Sequence, residues 1–266
     1  MNLQLKNKTA IVTGGSKGIG KAIAKALAAE GANVVICGRG VEALDEAKKE
    51  IEQNGGSVLA VQADLSKQED VDHLVSVAID RYKTIDILVN NAGIASGFAD
   101  FESLEIEDWQ HLFDINLFGT VRVTKAVIPY MKKARYGRII NISSECGVQP
   151  DPFMPHYNAS KAALINFTKS LSKAYAEQGI LVNTVSPAFI MTPMLENLLK
   201  DDAQKQNISY DEAIQKFLKE NRPHVEVKRP GTVEEVASAV LYLASSQASF
   251  INGVNLRVDG GSVASQ

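Results

Sequence analysis

The sequence predicts an α/β fold built on a parallel sheet. Three observations carry this. Short, apolar, β-rich runs alternate with longer amphipathic stretches over most of the chain. A glycine-rich turn, G-G-S-K-G-I-G, stands between the first such run and the first such stretch. The chain has 266 residues, 45% of them hydrophobic, which suffices for one large core and a single domain over 1–266.

The bulk composition excludes several classes. A net charge of −3 argues against a nucleic-acid partner, since such proteins carry basic patches. Cys37 and Cys146 are too few for a disulfide framework or a metal set, so no metal is expected and the reading is a reducing, cytoplasmic setting. The first nine residues lack the apolar core of a signal peptide. No run approaches the roughly 18 apolar residues of a membrane span, so no membrane partner is expected.

Residues 9–13, T-A-I-V-T, read as a buried parallel strand. Gly14 to Gly20 follow, then an alanine-rich helix that Gly31 stops, then the second strand, N-V-V-I-C. This is a βαβ unit. Glycines let backbone approach a pyrophosphate, and the helix N-terminus offers free N–H groups. The spacing is G-x-x-x-G-x-G rather than the common G-x-G-x-x-G. Glycines placed for tight packing alone would look similar.

The end of the second strand bears on cofactor choice. An NAD site often has a carboxylate there for the ribose 2′-hydroxyl. Here Cys37, Gly38 and Arg39 supply none. Arg39 suits a 2′-phosphate, with Lys17 beside it, and a hydrogen bond to a charged group contributes about 1.5–3 kcal/mol. NADP(H) is therefore favoured over NAD(H). The bland alternative is that Arg39 caps a loop and Lys17 is solvated.

Residues 42–53 read as a helix, 57–62 as the third strand, 70–82 as a helix and 85–90 as the fourth strand. Asp64 follows the third strand, where it suits either an adenine amino group or, with Ser66, the N-cap of the helix that starts near Lys67. Asn90, Asn91, Ala92 and Gly93 close the fourth strand at the ligand edge of such a sheet, or form an ordinary turn. Residues 109–131 are predicted mostly helical. Asn116 sits there among Ile115, Leu117 and Phe118, so it either fixes backbone or orders water. The fifth strand, 138–143, leads into N-I-S-S-E-C-G-V-Q-P-D-P-F-M-P-H-Y-N-A-S-K. Tyr157 and Lys161 are four apart and share a helix face. An ammonium near a phenol lowers its pKa toward a range useful for proton transfer. Ser144 is placed to hold a substrate oxygen beside that phenol. Alone, such a Tyr/Lys pair is common on solvated helices.

Together these residues resemble the short-chain dehydrogenase/reductase family in its basic single-domain form, over nearly the whole chain. T-G-G-S-K-G-I-G from Thr13 matches that family's T-G-x-x-x-G-x-G, and N-N-A-G from Asn90 matches its N-N-A-G. Asn116, Ser144, Tyr157 and Lys161 match its catalytic tetrad in order, and V-D-G-G from Val258 matches its C-terminal signature. The resemblance implies a Rossmann-like, doubly wound parallel sheet of about seven strands flanked by helices, a homotetramer, and hydride transfer between nicotinamide and a carbonyl or alcohol carbon. It implies Tyr157 as general acid in reduction, Lys161 lowering its pKa and holding ribose hydroxyls, Ser144 polarising the carbonyl, and Asn116 supporting a relay water. Implied cofactor contacts are Gly14, Ser16, Lys17, Gly18, Ile19, Gly20, Arg39, Asp64, Leu65, Asn91, Ala92, Gly93, Tyr157, Lys161, Pro187, Ile190 and Thr192. One departure stands out. The family has Pro-Gly after the sixth strand, whereas Pro187-Ala188 occurs here, and a positive φ would disfavour alanine.

The family look-alikes are 3-oxoacyl-acyl-carrier-protein reductases and relatives acting on sugars, steroids and small ketones. The leading expectation is an NADP(H)-dependent ketoreductase, the alternative an NAD-dependent dehydrogenase of a sugar, polyol or steroid alcohol. A dinucleotide sensor without catalysis is remote, because it needs none of Ser144, Tyr157 and Lys161. Arg135 matches one carrier-contacting arginine of the acyl-carrier enzymes, but Gln178 stands at the second such position. From Ile190 to Arg229 the βα rhythm gives way to two helical patterns, implied to be a helical substrate lid or a tetramer contact. Ser144, Glu145, Cys146, Phe153, Met154 and Tyr157 are expected to bind substrate, with Phe153 and Met154 as an apolar wall. His156 is expected to be structural. The last helix and strand fall at 233–244 and 254–258.

Overall fold

A computed structural model describes residues 2–95 and 99–264. Seven strands form one sheet: β1 (Thr9–Thr13), β2 (Asn33–Gly38), β3 (Ser57–Gln62), β4 (Ile87–Asn90), β5 (Gly137–Ile142), β6 (Ile180–Pro187) and β7 (Asn255–Val258). Their spatial order is β3-β2-β1-β4-β5-β6-β7, and every neighbouring pair is parallel. Side chains of a strand alternate between faces. In β1, Ala10 and Val12 pack into one hydrophobic cluster and Ile11 into another, and all three are fully buried. That is why the run is apolar without alternation. The first face is covered by α1 (Gly18–Ala29), α2 (Val41–Gln53) and α9 (Val233–Ala244). The second is covered by α3 (Gln68–Tyr82), α5 (Gly119–Ala134) and the end of α6 (Pro155–Tyr175). The strand order reverses at β1/β4, which opens a crevice at the carboxyl ends of these strands.

Three local readings are corrected. The stretch expected to be helical over 109–131 is divided. Helix α4 (Ile106–Phe113) runs into one π-helical turn, Asp114–Phe118, before α5 begins. Such single turns often mark functional positions, and this one carries Asn116. Neither Asp64 nor Ser66 caps α3. Lys67 is its N-cap residue, without a side-chain cap, and Asp64 Oδ1 instead accepts the Ser66 N–H at 3.0 Å and its hydroxyl at 2.8 Å. A bond to the residue two positions on makes a local turn and uses up the capping oxygen. Finally, Ala188 does not take a positive φ. Its N–H donates to Val258 O at 3.2 Å, so the loop continues the β6/β7 ladder and needs no glycine.

Between β6 and α9 the chain makes an excursion through α7 (Pro193–Gln206) and α8 (Tyr210–Asn221). Its two feet are joined by a parallel bridge, Ile190 to Gly231, with Met191 N–H to Gly231 O at 2.8 Å and Gly231 N–H to Phe189 O at 2.9 Å. It has its own small core of Phe189, Leu199, Leu218 and Val225, in which the Phe189 and Phe217 rings stack with centroids 4.9 Å apart. Gly260 O, beyond β7, accepts the N–H groups of Glu226 and Val227 and braces the returning limb. No helix among the described residues is long and apolar enough to cross a membrane. Among them, no group of three or more His, Cys, Asp or Glu is placed to hold a metal ion.

Candidate active site

The glycine turn ends β1 and starts α1. A Cβ at Gly20 would stand 2.3 Å from Gly14 O, so only glycine lets the helix start this close beneath the turn. Gly18 has φ of +53°, and a Cβ there would be in van der Waals contact with Thr192 Cγ2 at 3.6 Å. Asn91 holds the turn from β4: its Nδ2 donates to Thr13 O at 3.0 Å and Gly14 O at 3.2 Å. The Thr13 hydroxyl in turn accepts the N–H groups of Asn91 and Ala92. Asn91 is thus a brace for the phosphate-type turn.

A cleft of about 350 Å³ opens beside this turn, lined by Gly14, Ser16, Lys17, Arg39, Asp64, Leu65, Ala92 and Gly93 among others. A Cβ at Gly93 would come within 3.1 Å of Asn116 Oδ1 and 3.5 Å of Lys161 Nζ, so glycine keeps the floor of the cleft open. Asp64 is held below the usual carboxylate range by the Ser66 N–H and hydroxyl, with Arg39 adding to it. The side chains of Lys17 and Arg39 are exposed and donate no hydrogen bond among the described residues. An elongated, anionic dinucleotide fits this donor set. Ile19 lies in the first turn of α1. Pro187 ends β6 opposite Val258, and Ile190 is buried at the foot of the excursion, where it lines a separate cavity with Val225, Val227 and Gly231; neither lines this cleft.

The four residues expected to be catalytic converge from three elements. Asn116, buried in the π-helical turn, accepts the Ile94 N–H on Oδ1 at 2.8 Å. Its Nδ2 donates to Ile94 O at 2.9 Å and Ser160 Oγ at 3.3 Å. Its side chain therefore fixes backbone, the first of the two roles open in the sequence. Ser144 follows β5; its Oγ accepts the Cys146 N–H at 3.2 Å and its hydroxyl hydrogen-bonds the Tyr157 phenol. Tyr157 and Lys161 lie one turn apart in α6, with Lys161 Nζ 5.6 Å from the Tyr157 ring centre and donating to Ile142 O at 3.1 Å.

Their electrostatics correct one expectation. The Tyr157 phenol is not lowered but pushed up to about 12, because burial outweighs the neighbouring Ser144 hydroxyl. Lys161 is pushed down to about 8, again by burial. Desolvation disfavours both charged forms, and the ammonium sits over the ring face rather than on the hydroxyl. A stability prediction follows. Between about pH 8 and the unfolded lysine value near 10.4, the unfolded chain binds the extra proton, so Lys161 makes folding more favourable as pH rises through that window. Urea unfolding of wild type and Lys161→Met at pH 7.5 and pH 9.5 should show the wild type gaining relative to the variant at the higher pH. A gap that is constant or moves the other way would refute the buried-ammonium assignment.

The expected substrate residues separate into two groups. Glu145 and Cys146 form a 3₁₀ turn directly after Ser144, both buried, and burial raises the carboxyl and the thiol above their ordinary ranges. Phe153 is 51% exposed and Met154 is buried just ahead of α6, so the two do not form one apolar wall. The polar neighbour of Glu145 is Arg222, which comes from the end of α8. Its Nε lies 3.7 Å from Glu145 Oε1, and its Nη1 donates to Asp151 Oδ2 at 3.2 Å. Sequence reasoning missed Arg222 and Asp151. His156 is fully buried with its ring 5.9 Å from Trp109, which fits a packing role. Arg135 donates to Glu177 O at 3.0 Å and so ties down the turn before β6.

A family model described as short chain dehydrogenase matches residues 8–203. The chain is 41% identical over 261 residues to a 3-oxoacyl-[acyl-carrier-protein] reductase of Synechocystis sp., covering 97% of this chain and 98% of that protein. It is 37% identical over 259 residues to a D-beta-hydroxybutyrate dehydrogenase of Rhizobium meliloti, covering 96% and 98%. Among solved structures it is similar to an L-sorbose reductase of Gluconobacter frateurii complexed with NADPH and L-sorbose. That likeness has a TM-score of 0.94, 34% identity and full coverage of both chains.

Proposed function

Because this chain belongs to the short-chain dehydrogenase family and is an oxidoreductase of carbonyl or CH–OH groups, we propose that it is an NADP(H)-dependent ketoreductase. One observation carries the cofactor choice. Lys17 and Arg39 line the cleft at the end of β2, with no carboxylate at positions 37–39 and no hydrogen bond of their own among the described residues. Two cations in that place suit a 2′-phosphate, to which guanidinium binds as a fork. The NADPH held by the sorbose reductase supports the same reading.

Bound NADPH supplies the hydride. Tyr157 delivers the proton to the substrate oxygen, and a phenol pushed up to about 12 is fully protonated at neutral pH, as an acid in reduction must be. Ser144, whose hydroxyl stands beside the Tyr157 phenol and whose Oγ takes the Cys146 N–H, donates its proton to the same oxygen. Lys161, largely an ammonium at neutral pH, supports the negative charge left on the phenol. Asn116 holds both polar groups of Ile94 and so keeps the floor beside Gly93 in place. The excursion through α7 and α8 serves as the substrate cover that keeps water out. The family resemblance further supports a cytoplasmic homotetramer. With Arg135 committed to Glu177 O, a carrier-protein contact loses its first anchor, and a free ketone is the favoured substrate.

The test is cofactor affinity. Arg39→Ala should weaken NADPH binding by roughly tenfold to a hundredfold, the loss of one charge-assisted contact, and leave NADH nearly unchanged. Equal affinities for the two cofactors in wild type, with neither moved by the substitution, would rule out the NADP(H) assignment.

A further inference from the structure

We infer that Glu145, Arg222 and Asp151 form a subsite that selects a neutral ketone carrying a hydroxyl beside the reacting carbonyl. The inference rests on the ketoreductase reading and adds the substrate class. Glu145 directly follows Ser144, and its carboxylate and the Arg222 guanidinium are both close enough to act on the Tyr157 phenol. It is 6% exposed, and a buried carboxylate is costly unless its oxygens receive hydrogen bonds. They do not. Oε1 is 3.7 Å from Arg222 Nε, beyond hydrogen-bond reach, and Oε2 meets no donor in bonding geometry among the described residues. The guanidinium that would be expected to satisfy it is occupied elsewhere: Arg222 Nη1 donates to Asp151 Oδ2 and to the Asn221 carbonyl. What remains is a buried acceptor waiting for a donor, beside the reacting group.

The charge balance narrows the donor. Glu145 and Asp151 face one guanidinium, and Asp259, itself 4.0 Å from Arg257 Nε, adds a third carboxylate close enough to act on Glu145, so three carboxylates stand against two guanidinium groups. A carboxylated substrate therefore meets net repulsion, whereas an alcohol O–H offers a proton without charge. The remaining wall of this cavity of about 250 Å³ includes Asn221 and His224, whose side chains can meet a further hydroxyl, beside Gln149, which is tied to Ser262 O and the Ala264 N–H. Because Arg222 and Asn221 end α8, the subsite is complete only when the excursion is seated on the sheet.

The experiment compares hydroxyacetone, acetone and acetoacetate as substrates of the NADPH-loaded enzyme, reading kcat/KM for each. Wild type should prefer hydroxyacetone over acetone by about tenfold or more, the worth of one hydrogen bond to a charged group, and should use acetoacetate least. In Glu145→Leu the hydroxyacetone-to-acetone ratio should fall about tenfold. Glu145→Gln keeps a neutral acceptor and should fall less, while acetoacetate gains on acetone in both. NADPH binding by fluorescence reports that each variant is folded, and the glutamine variant stands in should the leucine one not fold. A ratio within about threefold of wild type in a folded variant would overturn the subsite and leave Glu145–Arg222 as a latch for the excursion. Proportional loss on all three ketones would overturn it equally. NADPH oxidation with none of them in wild type would instead remove the ketoreductase reading, and the subsite with it.

Discussion

Tyr157→Phe is expected to lower kcat for ketone reduction by about 10²–10⁴, the range over which a positioned acid usually contributes. The substitution removes one oxygen and keeps the ring. The ring rests on the Lys161 side of α6, and Lys161 keeps its bond to Ile142 O, so the fold and the cleft should stand. NADPH affinity should therefore change little while turnover collapses. Stopped-flow NADPH oxidation with a single ketone separates the two quantities. Turnover within about threefold of wild type would mean that the substrate oxygen takes its proton from elsewhere, and the role assigned to α6 would fail.

Ser144→Ala is expected to cost about 10²–10³ in kcat, as for the loss of one donor to a developing oxyanion. The physical argument is the hydroxyl's division of labour. Its lone pair accepts the Cys146 N–H, which fixes the rotamer and aims the proton away from the backbone. Alanine also leaves that buried N–H without its partner, so a modest loss of stability should accompany the loss of rate. Ser144→Thr is the control: it restores the hydroxyl, and recovery of most of the rate would separate chemistry from packing. If alanine instead raises KM with kcat untouched, the hydroxyl binds ground state and transition state alike, and the oxyanion role is wrong.

Much of the fold was legible because its signals are local. The run 9–13, the glycines at 14, 18 and 20 and the stop at Gly31 each have a short-range cause, and together they dictate strand, turn, helix and strand. Tyr157 and Lys161 were legible for the same reason, since i and i+4 define a face wherever a helix forms. What escaped depends on distance or on balance. Arg222 reaches Glu145 across a separation of 77 positions (222 − 145) and only through the packing of α8, which no spacing rule foresees. The Tyr157 shift was read with the wrong sign because proximity of an ammonium can be read from sequence and desolvation cannot. The wall of Phe153 and Met154 failed because two neighbours ahead of a helix need not face the same way.

The bridge between Ile190 and Gly231 has a meaning for descent as well as for packing. Once the feet are joined, the sheet is indifferent to how many residues travel between them, and doubling such a loop costs only about 0.6 kcal/mol in closure entropy. The segment can be lengthened, shortened or exchanged between lineages as a cassette, while Ser144, Tyr157 and Lys161 stay where β5 and α6 put them. Grafting the 191–230 segment of a relative onto this chain would exchange the wall that Arg222 supplies while leaving Glu145 and Asp151 beside the reacting groups, so the graft changes one side of the pocket at a time.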